Sequence, residues 1–324
     1  MQRCSTMRLI GILVAFIGFL SASPALAVSC SFSMTDLNFG WVNLTGGGSV
    51  QTTGNLRVTC SNPLVGSNLS VRICSNINAG SGGQVSGTRQ MKFGNAALNF
   101  ELHQDGLRTS KWGSVMQTGL GSPMAIDMPL PLEPLLGTVT VPIYGRISSS
   151  QGSAVKGQYN SSFAGTETRF NYAAFSGSAP NCATMTENPT FVPFNVAATV
   201  EPTCIVSAQT LNFGIHNNLL TAVNATGTIS LTCTSNLPYT VSLNGGLSNS
   251  PAASRKMVRP NGSITYGLYT DAARTIPWGS AAGQTISGTG NGSARSLTVY
   301  GRVPAQTTPM TGLYSDTVVV TVNY

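Results

Sequence analysis

Apolar and polar residues alternate along many short segments of this chain, with a repeat of two residues. This alternation is typical of a β-strand that buries one face in a core and exposes the other to water. Pro, Gly, Asn and Ser separate the segments at the spacing of turns. The clearest segments are Leu56/Val58/Cys60, Leu98/Phe100/Leu102, Val139/Val141/Ile143, Ile229/Leu231/Cys233, Ile264/Tyr266/Leu268 and Val318/Val320/Val322/Tyr324. The pattern predicts an all-β protein built from antiparallel β-sandwiches.

The chain also contains an internal repeat. Cys30 is followed by Leu37-Asn38-Phe39-Gly40, and Cys204 is followed in the same way by Leu211-Asn212-Phe213-Gly214. The block from Arg89 to Ser114 matches the block from Arg255 to Ser280 at one constant offset of 166 residues. Later matches are Tyr144-Gly145-Arg146 with Tyr300-Gly301-Arg302, and Gly157-x-Tyr159 with Gly312-x-Tyr314. The chain is therefore a tandem duplication, and each copy predicts one immunoglobulin-like sandwich.

The first 27 residues have the features of an export signal. Arg3 and Arg8 precede an apolar run from Leu9 to Leu20, and Ala25-Leu26-Ala27 provides a small-residue cleavage site. The apolar run is too short for the roughly 20 residues that span a bilayer. We therefore expect a signal peptide over residues 1–27, an N-terminal domain over residues 28–188 and a C-terminal domain over residues 189–324. The total of 324 residues fits two domains of ordinary size.

Six cysteines follow the predicted signal, and an even number in an exported chain indicates disulfides. Equivalent cysteines of the two copies should form equivalent bonds, which pairs Cys30 with Cys60 and Cys204 with Cys233. The remaining bond would join Cys74 to Cys182. A zinc site is the alternative, but the sequence contains no Cys-x2-Cys pair.

Charge and composition exclude several classes of function. Only 8% of the residues are charged, against a usual value of about 25%, and the Lys and Arg residues are scattered singly. Nucleic-acid binding needs clustered cations, so we expect no nucleic-acid partner. His103 and His216 accompany no nucleophile motif, and the acidic residues are not paired at glycosidase-like spacing. We therefore expect no catalytic, cofactor-binding or metal-binding residues and no enzymatic activity.

The second copy carries a longer series of motifs. They are Cys204, Leu211-Asn212-Phe213-Gly214, Cys233, Arg255-x-Met257, Tyr266, Trp278-Gly279, Tyr300-Gly301-Arg302 and Gly312-x-Tyr314-x-Asp316-Thr317-Val318. This series resembles the spore coat protein U (SCPU) domain family, which is found in subunits of archaic chaperone-usher pili. The first copy keeps the cysteine pair and the Arg89–Ser114 block but departs from the family afterwards.

The resemblance implies assembly by strand exchange. A pilin domain of this kind lacks its last strand, and receives one from a periplasmic chaperone and then, at the outer-membrane usher, from the next pilus subunit. The last strand beside the acceptor groove would then comprise Val318, Val320, Val322 and Tyr324, where the sequence stops. Only Val28 and Ser29 precede Cys30, so we expect no donor extension and a position at the pilus tip.

Two further points stay open at the level of sequence. The donor-like segment Phe194-x-Val196-x-Ala198-x-Val200 would complete the first domain or would be a linker and first strand, and the segment near Cys182 is another candidate for that completing role. The first copy also has ten extra residues between its Trp-Gly and Gly-Arg landmarks, in a Pro-rich apolar loop. The candidate surface-binding residues there are Met124, Ile126, Met128, Leu130, Leu132, Leu135 and Leu136. These residues would bind a surface or pack against their own domain.

The leading hypothesis is therefore the tip subunit of an archaic chaperone-usher pilus, exported through the periplasm to the cell surface. Its first domain would attach to abiotic or host surfaces and promote biofilm formation, and its second would join the shaft. The alternatives are a structural pilus or coat subunit without a ligand, and a secreted carbohydrate-binding or hydrolytic module.

Overall fold

The computed structural model describes residues 28–62, 68–132 and 136–324, so the predicted signal peptide lies outside the described residues. The strands of the first repeat are β1 (Ser29–Met34), β2 (Leu37–Val42), β3 (Val50–Ser61), β4 (Ser70–Ile77), β5 (Gln84–Val85), β6 (Thr88–Phe93), β7 (Ala96–His103), β8 (Met124–Pro129), β9 (Leu136–Ile147), β10 (Gly157–Phe163), β11 (Thr168–Phe175), β12 (Thr190–Phe191) and β13 (Phe194–Val200). Those of the second are β14 (Cys204–Ala208), β15 (Val223–Cys233), β16 (Pro238–Leu243), β17 (Arg255–Arg259), β18 (Gly262–Tyr269), β19 (Ile286–Thr289), β20 (Arg295–Val303) and β21 (Val320–Asn323).

Helical structure in the described residues is limited to two single 3-10 turns, Thr118–Leu120 and Gly165–Glu167. Neither turn is long enough to cross a membrane, and no other described segment is a membrane-spanning helix. The all-β class predicted from the alternation is confirmed.

The first domain packs two sheets face to face. The larger sheet has the strand order β1-β3-β9-β7-β6-β10-β13-β2, with β5 added beside β6, and the smaller has the order β12-β11-β4-β8. Their inward side chains form one continuous core. Its fully buried members include Leu56, Ile73, Phe100, Trp112 and Phe170.

The second domain has the same two-layer plan with fewer strands. One sheet has the order β14-β15-β20-β18-β17, and the other has the order β19-β16-β21. A separate core fills the space between them and includes Leu231, Val241, Tyr266, Trp278 and Val303. The two repeats therefore fold as two units, in agreement with the predicted two-domain organisation.

The strand pairing moves the boundary between the domains. The sequence prediction assigned residues 189–200 to the second domain, but β12 pairs with β11 and β13 pairs with both β10 and β2. All of these partners belong to the first domain. The boundary therefore lies after Val200, because the predicted division at residue 189 would remove two strands from the first domain's sheets.

Three disulfides brace the fold. Cys30 pairs with Cys60, Cys204 with Cys233 and Cys74 with Cys182. They are the pairs that the repeat predicts. The first two each join neighbouring antiparallel strands at equivalent positions of the two domains. The third ties β4 to a segment 108 residues later in the chain, and so holds the segment between β11 and β12 on the first domain.

A buried arginine connects the two sheets of the first domain. Arg89 on β6 is fully buried, and burial lowers the pKa of its guanidinium to about 10, so the group stays protonated at pH 7. Its nitrogens donate to the carbonyl oxygens of Asn78 (2.7 Å), Ile77 (2.7 Å) and Trp112 (2.8 Å). The indole of Trp112 donates in turn to the carbonyl of Ser75 on β4, at 2.9 Å. The Arg–Trp pair therefore fastens β6 to the opposite sheet.

The second domain repeats this arrangement at the equivalent positions. Arg255 donates to the carbonyl oxygens of Asn244 (2.8 Å), Ala252 (2.7 Å) and Trp278 (2.6 Å). The indole of Trp278 donates to the carbonyl of Val241 at 3.1 Å. Two of the three arginine acceptors and the acceptor of the indole are equivalent in the two domains, so the duplication extends from the sequence to the hydrogen bonding of the core.

The two domains touch where the loop before β10 meets the near end of the second domain. Val155 forms an isolated bridge with Ser235. A Cβ atom added to Gly292 would overlap the carbonyl oxygen of Gly152, so the two backbones approach closely here. Thr234 also donates its hydroxyl to the carbonyl of Glu201 in the connecting segment, at 3.1 Å.

We expect the substitution Arg89→Met to lower the free energy of unfolding of the first domain by about 3 kcal/mol or more, because three buried carbonyl groups lose their donor. Calorimetry of the full chain measures this effect, with the transition of the second domain as the internal reference. The control is Arg57→Met, which removes an exposed arginine and should change stability by less than about 0.5 kcal/mol. Equal effects of the two substitutions would contradict the bracing role of Arg89.

Candidate functional site

The segment from Phe194 to Val200 completes the first domain. As strand β13, it lies between β10 and β2, antiparallel to β10 and parallel to β2. Its alternate side chains, Phe194, Val196, Ala198 and Val200, are at most 3% exposed and enter the core. The donor-like alternation in the sequence thus corresponds to a strand inserted from a distant part of the chain into a slot between two others.

The walls of that slot have direct counterparts in the second domain. Residues 37–40 of β2 correspond to residues 211–214, and the Gly157-x-Tyr159 start of β10 corresponds to Gly312-x-Tyr314. Both corresponding segments of the second domain line one open cavity of about 510 Å³. The cavity is called the acceptor groove below. Its apolar lining includes Leu211, Phe213, Met257, Leu268, Val299 and Val318.

The exposure of equivalent side chains differs between the two domains. Leu37, Tyr159 and Phe163 are fully buried beneath and beside β13. Their counterparts Leu211, Tyr314 and Val318 are only half-buried. Each tyrosine nevertheless keeps the same local contact, since its hydroxyl donates to the carbonyl four residues earlier, at 2.9 Å in the first domain and 2.7 Å in the second. The same walls therefore enclose a strand in one domain and an open groove in the other.

A carboxylate forms part of the wall of the acceptor groove. Asp316 Oδ2 accepts a 2.6 Å hydrogen bond from the hydroxyl of Tyr266, and Oδ1 accepts 2.8 Å hydrogen bonds from the backbone N–H groups of Leu247 and Thr317. A Cβ atom at Gly246 would overlap this carboxylate, which makes glycine necessary there. Burial raises the pKa of Tyr266, and the hydrogen bond to Asp316 raises it further, so the phenol stays protonated at all physiological pH values.

The predicted last strand lies beside the groove. β21 covers Val320–Asn323 and pairs antiparallel with β16, so that Val322 lies opposite Val241. Val318 and Val320 line the groove itself, and Val322 packs against the core from the same face. Tyr324 is 58% exposed and lies just beyond the strand.

The prediction of a surface-binding loop is wrong for four of its seven residues. Met124, Ile126, Met128 and Leu130 are at most 8% exposed. They belong to the β8 segment, which pairs with β4 and adds a strand to the smaller sheet. Buried side chains cannot contact an external surface. The alternation of Met124-x-Ile126-x-Met128-x-Leu130 itself indicates a strand, although the segment is rich in Pro.

The C-terminal end of the predicted surface-binding loop differs from its first part, because its described leucines are exposed. Leu132 is 45% exposed and Leu136 is 59% exposed, while Leu135 lies outside the described residues. Leu136 pairs with Ser61 at one end of the long β3–β9 ladder. The opposite end of that ladder lies on the same side of the first domain as the C-terminal end of β13, where the chain continues into the second domain. The two exposed leucines therefore lie at the end of the first domain remote from the second.

Lys111 and His103 of the first domain and His216 of the second lie outside the slot and the groove. Lys111 donates to Glu101 at 2.7 Å. Burial lowers the pKa of His103, so its imidazole is neutral at pH 7. His216 is exposed, with a ring nitrogen 2.6 Å from the carbonyl oxygen of Phe213. Lys111 is thus held to Glu101 of β7, and His216 is held to the Leu-Asn-Phe-Gly turn.

Comparison with known proteins gives one family and a set of related folds. The sequence profile of the Spore Coat Protein U domain matches residues 17–166 and 190–321. Protein U of Myxococcus xanthus is 30% identical over 166 residues, an alignment that covers 45% of this chain and 89% of Protein U. Chains of two solved structures of pilus proteins also align with this chain.

The first of them is the CsuC–CsuE chaperone–tip adhesion subunit pre-assembly complex from archaic chaperone-usher Csu pili of Acinetobacter baumannii. One of its chains aligns with a TM-score of 0.51 and 17% identity, over 91% of this chain and 100% of that one. The CupB6 tip adhesin of Pseudomonas aeruginosa aligns with a TM-score of 0.38 and 11% identity, over 91% of this chain and 94% of that one. At 17% identity, the likeness to the first of these chains is one of fold.

We expect Asp316→Ala to lower the free energy of unfolding of the second domain by about 2–3 kcal/mol. The substitution removes the charged acceptor of three hydrogen bonds, which come from the backbone of Leu247, the backbone of Thr317 and the hydroxyl of Tyr266. The matched control is Ser315→Ala, which changes the exposed neighbouring side chain and leaves its backbone pairing with Val258 intact. Urea unfolding of the full chain compares the two variants. The interpretation fails if Asp316→Ala is as stable as the control.

Proposed function

The chain belongs to the Spore Coat Protein U domain family, and we propose that it is a two-domain tip subunit of an archaic chaperone-usher pilus. In this proposal the second domain joins the pilus shaft by accepting a strand from the next subunit. The first domain mediates attachment to an abiotic or host surface and so promotes biofilm formation.

The contrast between the filled slot and the acceptor groove carries the proposal. In the first domain β13 provides backbone pairing on both sides and four buried apolar side chains. The second domain has equivalent walls around a cavity of about 510 Å³, with Leu211 and Phe213 on one side and Val318 on the other. Unpaired strand edges and half-buried apolar residues are stabilised when an extended segment is added to the sheet. A strand of the β13 type has the shape and chemistry for this site.

The proposed partners follow from this chemistry. An open groove is an aggregation hazard during export, so a periplasmic chaperone would occupy it until the outer-membrane usher exchanges the chaperone for the next pilus subunit. The three disulfides fit an oxidising compartment such as the periplasm or the cell surface.

The tip position is supported by the state of the first domain. Its slot contains β13 of the same chain, so it has no equivalent groove to offer another subunit. Its remote end exposes Leu132 and Leu136, and apolar side chains on a rigid scaffold are suited to contact with apolar surfaces.

A structural pilus subunit without a ligand is the second candidate. The observation in its favour is the burial of Met124, Ile126, Met128 and Leu130, which reduces the exposed apolar set at the remote end. The two candidates share the strand-accepting second domain and differ only in whether the first domain binds anything.

The strand-accepting role is tested by appending a strand to the full chain. We fuse a flexible Gly/Ser linker and a copy of residues 193–201 after Tyr324, and expect the copy to enter the acceptor groove. The fused chain should be more soluble and its second domain should unfold at a higher temperature, because the added strand buries the apolar lining.

The control carries Asp at the two appended positions equivalent to Val196 and Ala198, which would place charges in the core. It should behave like the chain without an appended strand. If the two fusions and the unmodified chain unfold at the same temperature, the second domain does not accept a strand at this site.

Attachment by the remote end is tested by the double substitution Leu132→Ser and Leu136→Ser. Each leucine contributes up to about 1.5–3 kcal/mol when buried against an apolar surface, and many tips on a cell multiply the difference through avidity. We therefore expect adhesion of piliated cells to hydrophobic plastic to fall at least tenfold, with pilus number unchanged.

The control is Leu220→Ser with Leu247→Ser, which removes from the second domain two leucines that are even more exposed, at 72% and 69%. Adhesion should be retained in this control. Undiminished adhesion of the Leu132/Leu136 variant would favour the subunit without a ligand at this end.

A further inference from the structure

The residue that faces the closing strand differs between the two domains. In the first domain Ser161 on β10 lies directly opposite Val196 of β13, and both are fully buried. Ser161 lies two positions after Tyr159, and Asp316 lies two positions after Tyr314, so Asp316 is the counterpart of Ser161. A strand that enters the acceptor groove in the manner of β13 therefore meets a carboxylate where β13 meets a hydroxyl.

A second substitution on the neighbouring strand makes this wall more polar. Tyr266 stands where the first domain has Phe100, and it lines the groove together with Asp316. The first domain also has a carboxylate near this position, but it belongs to Glu167, which accepts the backbone N–H of Gly80 at 2.7 Å. Glu167 follows the last residue of β10 that pairs with β13. A carboxylate therefore lies in the wall of the acceptor groove of the second domain, whereas the corresponding carboxylate of the first domain lies outside the wall of its slot.

Asp316 retains capacity for a further hydrogen bond. It accepts three, from Tyr266, Leu247 and Thr317, whereas an ionised carboxylate has about four acceptor sites. Arg255 gives its donors to backbone carbonyls and not to this carboxylate. A closing strand would remove the water that now reaches the half-buried Asp316, and this costs free energy unless the strand supplies a donor.

We infer that the strand accepted by the second domain carries a hydrogen-bond donor, such as the hydroxyl of Thr or Ser, at the position equivalent to Val196, and apolar residues at the positions equivalent to Phe194, Ala198 and Val200. The inference rests on the proposed strand-accepting function. It makes Asp316 the residue that distinguishes the partner's strand from the chain's own β13. An apolar residue at that position leaves the remaining acceptor site of the enclosed carboxylate without a donor, which disfavours exchange of β13 between copies of this chain.

The test uses two versions of the full chain with the appended strand described above, and they differ in one side chain. The first keeps Val at the position equivalent to Val196, and the second has Thr there, in the appended copy only. Val and Thr have nearly the same shape, so the comparison isolates the hydroxyl. We expect the Thr version to lower the equilibrium constant for unfolding of the second domain about tenfold relative to the Val version.

The same pair is then measured with Asp316→Ser, which gives the second domain the residue that the first domain has. The advantage of Thr should disappear, and Val should stabilise at least as well. If Asp316→Ser does not fold, Asp316→Asn completes the cycle, and the advantage of Thr should shrink because the acceptor is no longer charged.

The outcomes separate the inference from the proposed function. If neither appended strand stabilises the second domain, the strand-accepting function itself is wrong. If both stabilise it and Val is equal to or better than Thr with Asp316 present, strand acceptance stands and the inference is overturned. An advantage of Thr that persists unchanged in Asp316→Ser would also overturn it, because the hydroxyl would then act through another group.

Discussion

The closing strand of an immunoglobulin-like sandwich is the element on which both domains depend. β13 pairs with β10 on one side and with β2 on the other, and its four inward side chains complete the core of the first domain. Without such a strand, a row of backbone N–H and C=O groups and an apolar lining face water. The first domain meets this requirement from its own chain, and the second presents equivalent walls around a groove.

The remainder of the framework is nearly the same in the two domains. A buried arginine and a tryptophan connect the sheets at equivalent positions, and a disulfide joins β1 to β3 in the first domain and β14 to β15 in the second. These contacts are present in both domains, in the one whose slot is filled and in the one whose groove is open. The two copies therefore differ at the slot and still have the same sandwich fold.

The divergence is concentrated in the residues that the closing strand would touch. Ser161 and Phe100 of the first domain correspond to Asp316 and Tyr266 of the second. The first pair lies against β13 of the same chain, and under the proposed function the second pair would offer a polar contact to a strand from another chain. The far end of the first domain also differs, because the longer segment after β8 exposes Leu132 and Leu136 there, whereas β8 itself has a counterpart in β19 of the second domain.

The sequence alone determined the all-β class, the duplication, the three disulfide pairs and the segments that form the walls of the slot. These properties are local or follow from comparing one copy with the other. Tertiary structure decided the domain boundary and the fate of the apolar segment from Met124 to Leu130. β13 belongs to the first domain because it pairs with β2, more than 150 residues earlier, and alternation shows that a strand has a buried face without showing which sheet it joins. For the same reason, the position of Asp316 in the groove became visible only when its strand was placed beside the slot.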